Sequence, residues 1–273
     1  MVGRKLVSKV IFAVGLVCCM YPLASSVIEG YYQKNAVATY QDSISNSNAE
    51  ELEADYKKAE EYNESLFTYN MGTTLGSTSL GILGEASYED ILNVGNGIMG
   101  SIEIPKISVN LPIYHGTSDE VLSVGVGHVY GSSFPVGGIN TRSVLTGHRG
   151  LPNAKLFTRL DELDNGDLFF VRVHDKTLAY KVNDIQVIEP EQVDVINAVE
   201  GKDLVSLITC TPYGINTHRL VVTGERVPFE KTEYESIKKE AMSFRELAFA
   251  GLPFVFIGIV VFFKIKDSKK RKE

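Results

Sequence analysis

The sequence predicts a mainly β domain between residues 97 and 228, an antiparallel barrel or sandwich, framed by helices and by an apolar stretch at each end. Three observations carry this. Short alternating runs at 102–104, 111–114, 143–146, 168–173, 178–187, 204–209 and 220–227 follow one another with turn residues between them. Only one helical stretch, 154–163, interrupts them, and strands without alternating helices point away from a parallel α/β fold. Ahead of them Leu52, Tyr56, Ala59, Tyr62 and Leu66 recur at three and four residues, the period of a helix with one buried face.

Taken in order, residues 1–27 comprise a basic end (Arg4, Lys5, Lys9) and an almost charge-free run from 10 to 27. That run is about the length of a helix crossing a ~30 Å hydrocarbon core. Ala24-Ser25-Ser26 is also a stretch that a signal peptidase accepts. Tyr21 and Pro22 just ahead of it favour an uncleaved anchor, and Val17 before Cys18 argues against a lipoprotein signal. Residues 28–70 read as helical, with Ser47 and Glu50 spaced as a capping box. Residues 71–96 form a glycine-rich loop without proline. After the β domain, 229–246 is a juxtamembrane helix, 247–263 a second apolar span and 264–273 a basic tail. Basic flanks stay on the cytoplasmic side, so both termini are expected inside and residues 28–246 outside.

The two ends carry +3 and +4, so a total of −7 leaves −14 on the external part. Such a surface excludes nucleic acid as a partner and suits basic or Lys-bearing proteins. Cys18 and Cys19 lie inside the first apolar run, which leaves Cys210 alone in an exported domain with no disulfide available to it. A lone thiol in an oxidising space is either buried and inert or put to use.

Cys210 closes the apolar run Leu204-Val205-Ser206-Leu207-Ile208-Thr209, and the chain returns through a turn to His218-Arg219-Leu220. A strand end holds a nucleophile rigidly. Arg219 on the returning strand would favour thiolate over thiol and stabilise an oxyanion. The leaving amine needs a proton, ordinarily from a histidine. Spacing does not choose among His115, His128, His148, His174 and His218, although His148 stands at a strand end and His218 is nearest to the thiol. None of the five has partners at metal-ligand spacing, and no phosphate-cradling glycine loop follows a strand, so no metal or cofactor is expected. The acidic group Asp161, Glu162 and Asp164 reads as a solvated cluster.

Leu145-Thr146-Gly147-His148-Arg149 resembles the histidine motif of sortases, and Ser206-Leu207-Ile208-Thr209-Cys210 their cysteine motif, with Arg219 where their arginine lies. The run from Thr209 through Cys210 to Leu220 is similar to class C, the pilin-polymerising branch, as are Ile104-Pro105-Lys106-Ile107 and Leu111-Pro112-Ile113-Tyr114-His115. The resemblance implies a closed eight-stranded sortase-type β-barrel with N-terminal helices and flanking transmembrane helices. It implies Cys210 as nucleophile, His148 as acid and base, and Arg219 as the group holding the substrate carbonyl. The reaction it implies is cleavage of an LPXTG-like sorting signal and transfer of the acyl group to a lysine of another pilin. A housekeeping sortase that anchors proteins to the cell wall, and a non-catalytic membrane-bound scaffold, are the alternatives. One departure stands out: class C lids carry an Asp-Pro-aromatic motif, and residues 70–100 hold no proline, with Asp90 followed by Ile91.

Overall fold

The computed structural model describes residues 2–70, 85–95, 97–151, 154–237 and 244–270. Eight strands close a barrel in the order β1-β2-β3-β4-β7-β8-β6-β5. The strands are β1 (Ile98–Ile104), β2 (Val109–His115), β3 (Val126–His128), β4 (Thr141–Thr146), β5 (Leu168–Val173), β6 (Lys176–Ile188), β7 (Asp203–Thr211) and β8 (His218–Val227). Among the described residues six α-helices accompany them: α1 (Val2–Asn46), α2 (Ala49–Asn70), α3 (Glu85–Asp90), α4 (Asp119–Val124), α5 (Lys231–Ser236) and α6 (Phe244–Lys270).

The barrel interior is filled by alternate residues of each strand, among them Ile102, Ile104, Ile113, Leu145, Phe169, Val171, Val205, Leu207 and Val222. The expected antiparallel pattern holds for six of the eight pairings, while β2–β3 and β4–β7 are parallel. Period-two alternation reports which face a residue takes and is silent on strand direction, so this difference lay outside the pattern's reach.

Other departures are local. The stretch 154–163 is a series of turns ending in a single 3-10 turn at Leu160–Glu162 rather than a helix. Leu156, Phe157 and Leu160 are buried there, which explains the apolar spacing. Asn48, not Ser47, caps α2: its Oδ1 accepts from the Glu50 N–H. Ser47 Oγ instead donates back to Ser43 O. Residues 85–95 of the expected glycine-rich loop are a packed segment. α3 seats Tyr88 against His128 and Phe134, and Leu92 beyond it is fully buried. Residues 71–84 and 96 of that loop lie outside the described residues. Of the expected helix at 229–246, residues 231–236 form α5 and 238–243 lie outside the described residues.

α1 passes without interruption from its apolar part onto the barrel, where Tyr40 donates to Met99 O and accepts from the His174 N–H. α2 packs beside it: Tyr56 donates to Val136 O, and Asn63 exchanges two hydrogen bonds with the Phe134 backbone. α1 contains the helical stretch long and apolar enough to cross a membrane, and Ala250–Phe263 in α6 is a shorter apolar stretch. The Phe12 and Phe256 rings stack 5.4 Å apart and pair the two helices.

His128, fully buried, accepts from Tyr88 Oη at Nδ1 (2.9 Å) and donates from Nε2 to Ser133 O (2.9 Å). Burial is the main cause that pushes its imidazole down to about 4. The unfolded chain therefore takes up a proton near pH 6.5 that the fold refuses until about pH 4. Stability is full above the unfolded value and falls as pH drops through that window, by on the order of 3 kcal/mol. Urea unfolding between pH 7 and 4.5 should show this loss, and His128→Gln should flatten the slope by about one proton's worth. An unchanged slope would assign the acid sensitivity to other groups.

Candidate active site

Three strand ends meet at one rim of the barrel. In β7 the alternation sends Val205 and Leu207 into the core and leaves Ser206, Ile208 and Cys210 on the outer wall. β8 does the same with Leu220 and Val222 inside and Val221 outside. Cys210 and Arg219 are a register pair of these two antiparallel strands, so their side chains share the outer face. The next pair, Thr211 and His218, projects from the opposite face. His218, the histidine nearest in sequence to the thiol, is thereby turned away from it. Its Nδ1 lies 2.9 Å from Thr217 Oγ1.

His148 reaches the same rim along β4. Thr146 pairs in parallel with Ile208, and the ladder continues through the Gly147 N–H to Ile208 O (3.1 Å) and Thr209 Oγ1 to Gly147 O (2.8 Å). His148 stands two residues past Thr146, as Cys210 stands two past Ile208. The two chains thus leave paired strands at the same rim. Both are half-buried, as is Arg219. The other histidines are engaged elsewhere: His115 with Gly97 O and Ile91 O, His128 in the core, and His174 buried beside Asp55. Of the five histidines, His148 is the one that follows the strand paired in parallel with β7.

A groove of about 300 Å³ leads along the outer wall to Arg219. Thr146, Ile208 and Ile188 at the end of β6 line it on the barrel side, Pro190 and Ile196 from the β6–β7 connection, and Thr117 and Leu122 from the chain around α4. The connection is held by a small second core on the outside of the barrel, built from Val144, Ile188, Ile196 and Val221. Beneath it Arg142 donates to Val195 O and Ser206 Oγ. Burial pulls the Arg142 guanidinium down from its usual range. The Arg219 guanidinium rests on its own turn, Nη1 donating to His218 O (3.1 Å) and Asn216 O (3.3 Å).

The acidic cluster is not simply solvated. Asp161 pairs with Arg149 (2.6 Å), Glu162 with Arg159 (2.8 Å) and Asp164 with Lys106 (2.8 Å). No group of three or more His, Cys, Asp or Glu side chains suited to a metal occurs among the described residues.

Residues 102–227 match the family model of the sortase domain. The solved sortase C of Streptococcus pneumoniae is 37% identical, and the match covers 71% of this chain and 97% of that one with a TM-score of 0.64. The chain belongs to the sortase family. A Clostridium perfringens sortase C, solved with the C-terminal cell wall sorting motif, is 43% identical over 71% of this sortase and 99% of its own length, with a TM-score of 0.61. Among curated relatives, sortase D of Bacillus subtilis is 32% identical over 131 residues, 47% of this chain. The aligned part spans 63% of that relative's length. The solved neighbours are class C sortases, in agreement with the motif around Cys210. The groove, the outer core and Arg149 were missed in the sequence. Arg149 alone had a signal, its place directly after His148.

Gly147 is where the sortase has least room beside its candidate histidine. A Cβ there would lie 2.9 Å from the Phe157 ring, in front of the backbone that carries His148. Gly147→Ala should leave the strands intact by circular dichroism and lower acyl-enzyme formation by about 10²-fold through misplacement of His148. Wild-type rates in a folded variant would show that this close approach does not set the position of His148.

Proposed function

We propose that this sortase is a membrane-tethered cysteine transpeptidase that joins pilin subunits. What supports the reading is that Cys210 and Arg219 are a register pair, that His148 follows the strand paired in parallel with β7, and that Arg219 lines an apolar-walled groove. An extended sorting signal of the LPXTG kind would lie in the groove with its Thr–Gly carbonyl at Cys210. The thiolate attacks that carbonyl, and the oxyanion is held by Arg219, whose planar fork of donors suits a carbonyl oxygen. Collapse breaks the Thr–Gly bond, His148 protonates the departing glycine amine, and a thioester remains on Cys210. A lysine amine of a second pilin then attacks the thioester, gives its proton to His148 and expels the thiolate, leaving an isopeptide bond. The strongly acidic external part suits a lysine-presenting partner. The apolar stretches of α1 and α6 would place both termini in the cytoplasm and the barrel outside, by their basic flanks.

Mass spectrometry of the protein mixed with a sorting-signal peptide, a lysine-bearing pilin domain and a cell-wall amine tests the reading directly. A thioester resolved by the pilin lysine is the expected result. Preference for the cell-wall amine would make the protein a housekeeping sortase, and no thioester at all would end the enzymatic reading. Cys210→Ala should abolish the thioester with the fold intact.

His148→Ala should cost ~10²–10⁴-fold in rate, and His218→Ala far less. Equal losses would overturn the assignment of His148. Arg219→Lys should recover only part of the rate lost in Arg219→Ala, because an ammonium cannot copy the fork. Full recovery would show that charge alone acts there. Reporter fusions at the two ends should both read cytoplasmic, and an external N-terminus would leave α6 as the anchor.

A further inference from the structure

Arg149 follows His148 directly, yet its side chain does not extend into solvent: only 4% of it is exposed. It reaches three separate pieces of the site. Nη2 pairs with Asp161 Oδ2 at 2.6 Å in the 154–163 segment. Nη1 donates to Thr211 Oγ1 at 3.1 Å, on the residue that follows Cys210. The guanidinium also lies over the Tyr213 ring, 5.8 Å from its centroid, in the turn that leads back to Arg219. Gly150 presses on the same ring, since a Cβ there would stand 3.3 Å from it.

Side chains this buried and this long lose much rotamer freedom, and a lysine or glutamine would satisfy the packing at lower cost. Arginine does what they cannot: its fork bridges two partners in fixed geometry while its face stacks on an aromatic ring. Arg149 follows His148 and its partner Thr211 follows Cys210, so the contact joins the flanks of the acid–base group and the nucleophile of the proposed reaction. β4 ends at Thr146, so beyond Gly147 the ladder no longer fixes the His148 backbone. There the Phe157 N–H holds His148 O at 3.1 Å, and the Arg149–Thr211 contact adds the tie to the end of β7.

We propose that Arg149 is a positioning residue that ties the chain carrying His148 to the chain leaving Cys210, with Asp161 fixing the guanidinium. The inference rests on the transpeptidase reading above. It deepens that reading by naming what sets the distance between base and nucleophile. Arg149 contacts Asp161, Thr211 and Tyr213 and takes no chemical step itself.

The test uses the full chain in detergent, with Arg149→Lys, Thr211→Val, the double variant and His148→Ala. One arm measures kcat and KM for acyl transfer from a sorting-signal peptide. The other follows alkylation of Cys210 by iodoacetamide against pH, read at the peptide level so that Cys18 and Cys19 do not contribute. Arg149→Lys should lower kcat about 10- to 100-fold with KM nearly unchanged. Thr211→Val should give a smaller loss in the same direction, and the double variant should be no worse than Arg149→Lys, as expected for two ends of one contact. The alkylation profile of Arg149→Lys should move toward that of His148→Ala. A wild-type kcat in both single variants, losses that multiply in the double variant, or an alkylation profile that stays on the wild type would each overturn the proposal. If Arg149→Lys fails to fold, Thr211→Val alone decides, and its wild-type kcat would count against the tie. If the wild type forms no thioester with the peptide, the transpeptidase reading fails, while the alkylation arm still tests whether Arg149 couples His148 to Cys210.

Discussion

The parallel pairing of β4 with β7 is the constraint on which the rest of the molecule depends. It closes the barrel between strands that are distant in sequence, and it runs from Thr141 opposite Asp203 to Thr146 opposite Ile208. Because the two strands point the same way, their C-terminal ends arrive together at one rim, and the antiparallel β8 starts there. A parallel pair requires a long crossover between its strands. Here the crossover holds β5, β6 and the β6–β7 connection, and its Ile188 and Ile196 wall the groove. One topological choice therefore delivers His148, Cys210, Arg219 and a groove to the same place.

The outer wall of the barrel is unusual in carrying its own small core. Val144, Val221 and Ile208 would face water on an ordinary antiparallel wall, but Ile188, Val195 and Ile196 cover them. Burying this surface holds the β6–β7 connection in place without a disulfide, which the cysteine inventory could not provide. A groove so built has apolar walls and a cationic end at Arg219, a match for an extended, mostly apolar peptide whose reacting carbonyl lies at its tip. The ion pairs at the other side of the rim divide the labour differently. Glu162 pairs with Arg159 within the 154–163 segment and Asp164 just beyond it pairs with Lys106, whereas Asp161 is bound to the arginine next to His148.

Both chain ends are fastened to the barrel before they continue into apolar helix. On one side Tyr40 of α1 bonds the Met99 and His174 backbone. On the other, Tyr234 of α5 donates to the buried carboxylate of Glu103, which also pairs with Arg172 at 2.7 Å. The Tyr234 ring packs edge-on against Phe170, and Arg172 lies over it. Removing one partner from such a buried arrangement leaves an uncompensated charge and is far costlier than losing a surface pair. Tyr40 lies on α1 itself, so at that end the barrel is tied directly to the helix that carries the apolar stretch.

Local patterning alone pointed to a β-rich domain, to the helical period at 52–66 and to the apolar ends, since these depend on neighbours within a few residues. The lone exported thiol and its strand-end position were legible for the same reason. The resemblance in the histidine and cysteine motifs supplied His148 and Arg219, and with them the family. What the chain alone did not settle is everything that requires distant residues to meet. Alternation showed Cys210 to be at a strand end but not that its strand runs parallel to β4. It could not turn His218 to the opposite face, because that depends on the β7–β8 register. Nor could it join Asp161 to Arg149, or bring Ile188 over Ile208, because side chains far apart in the chain carry no mark of their partners. Those pairings are decided by which strand directions and registers bury the most apolar surface at once, a choice made only when the sheet closes.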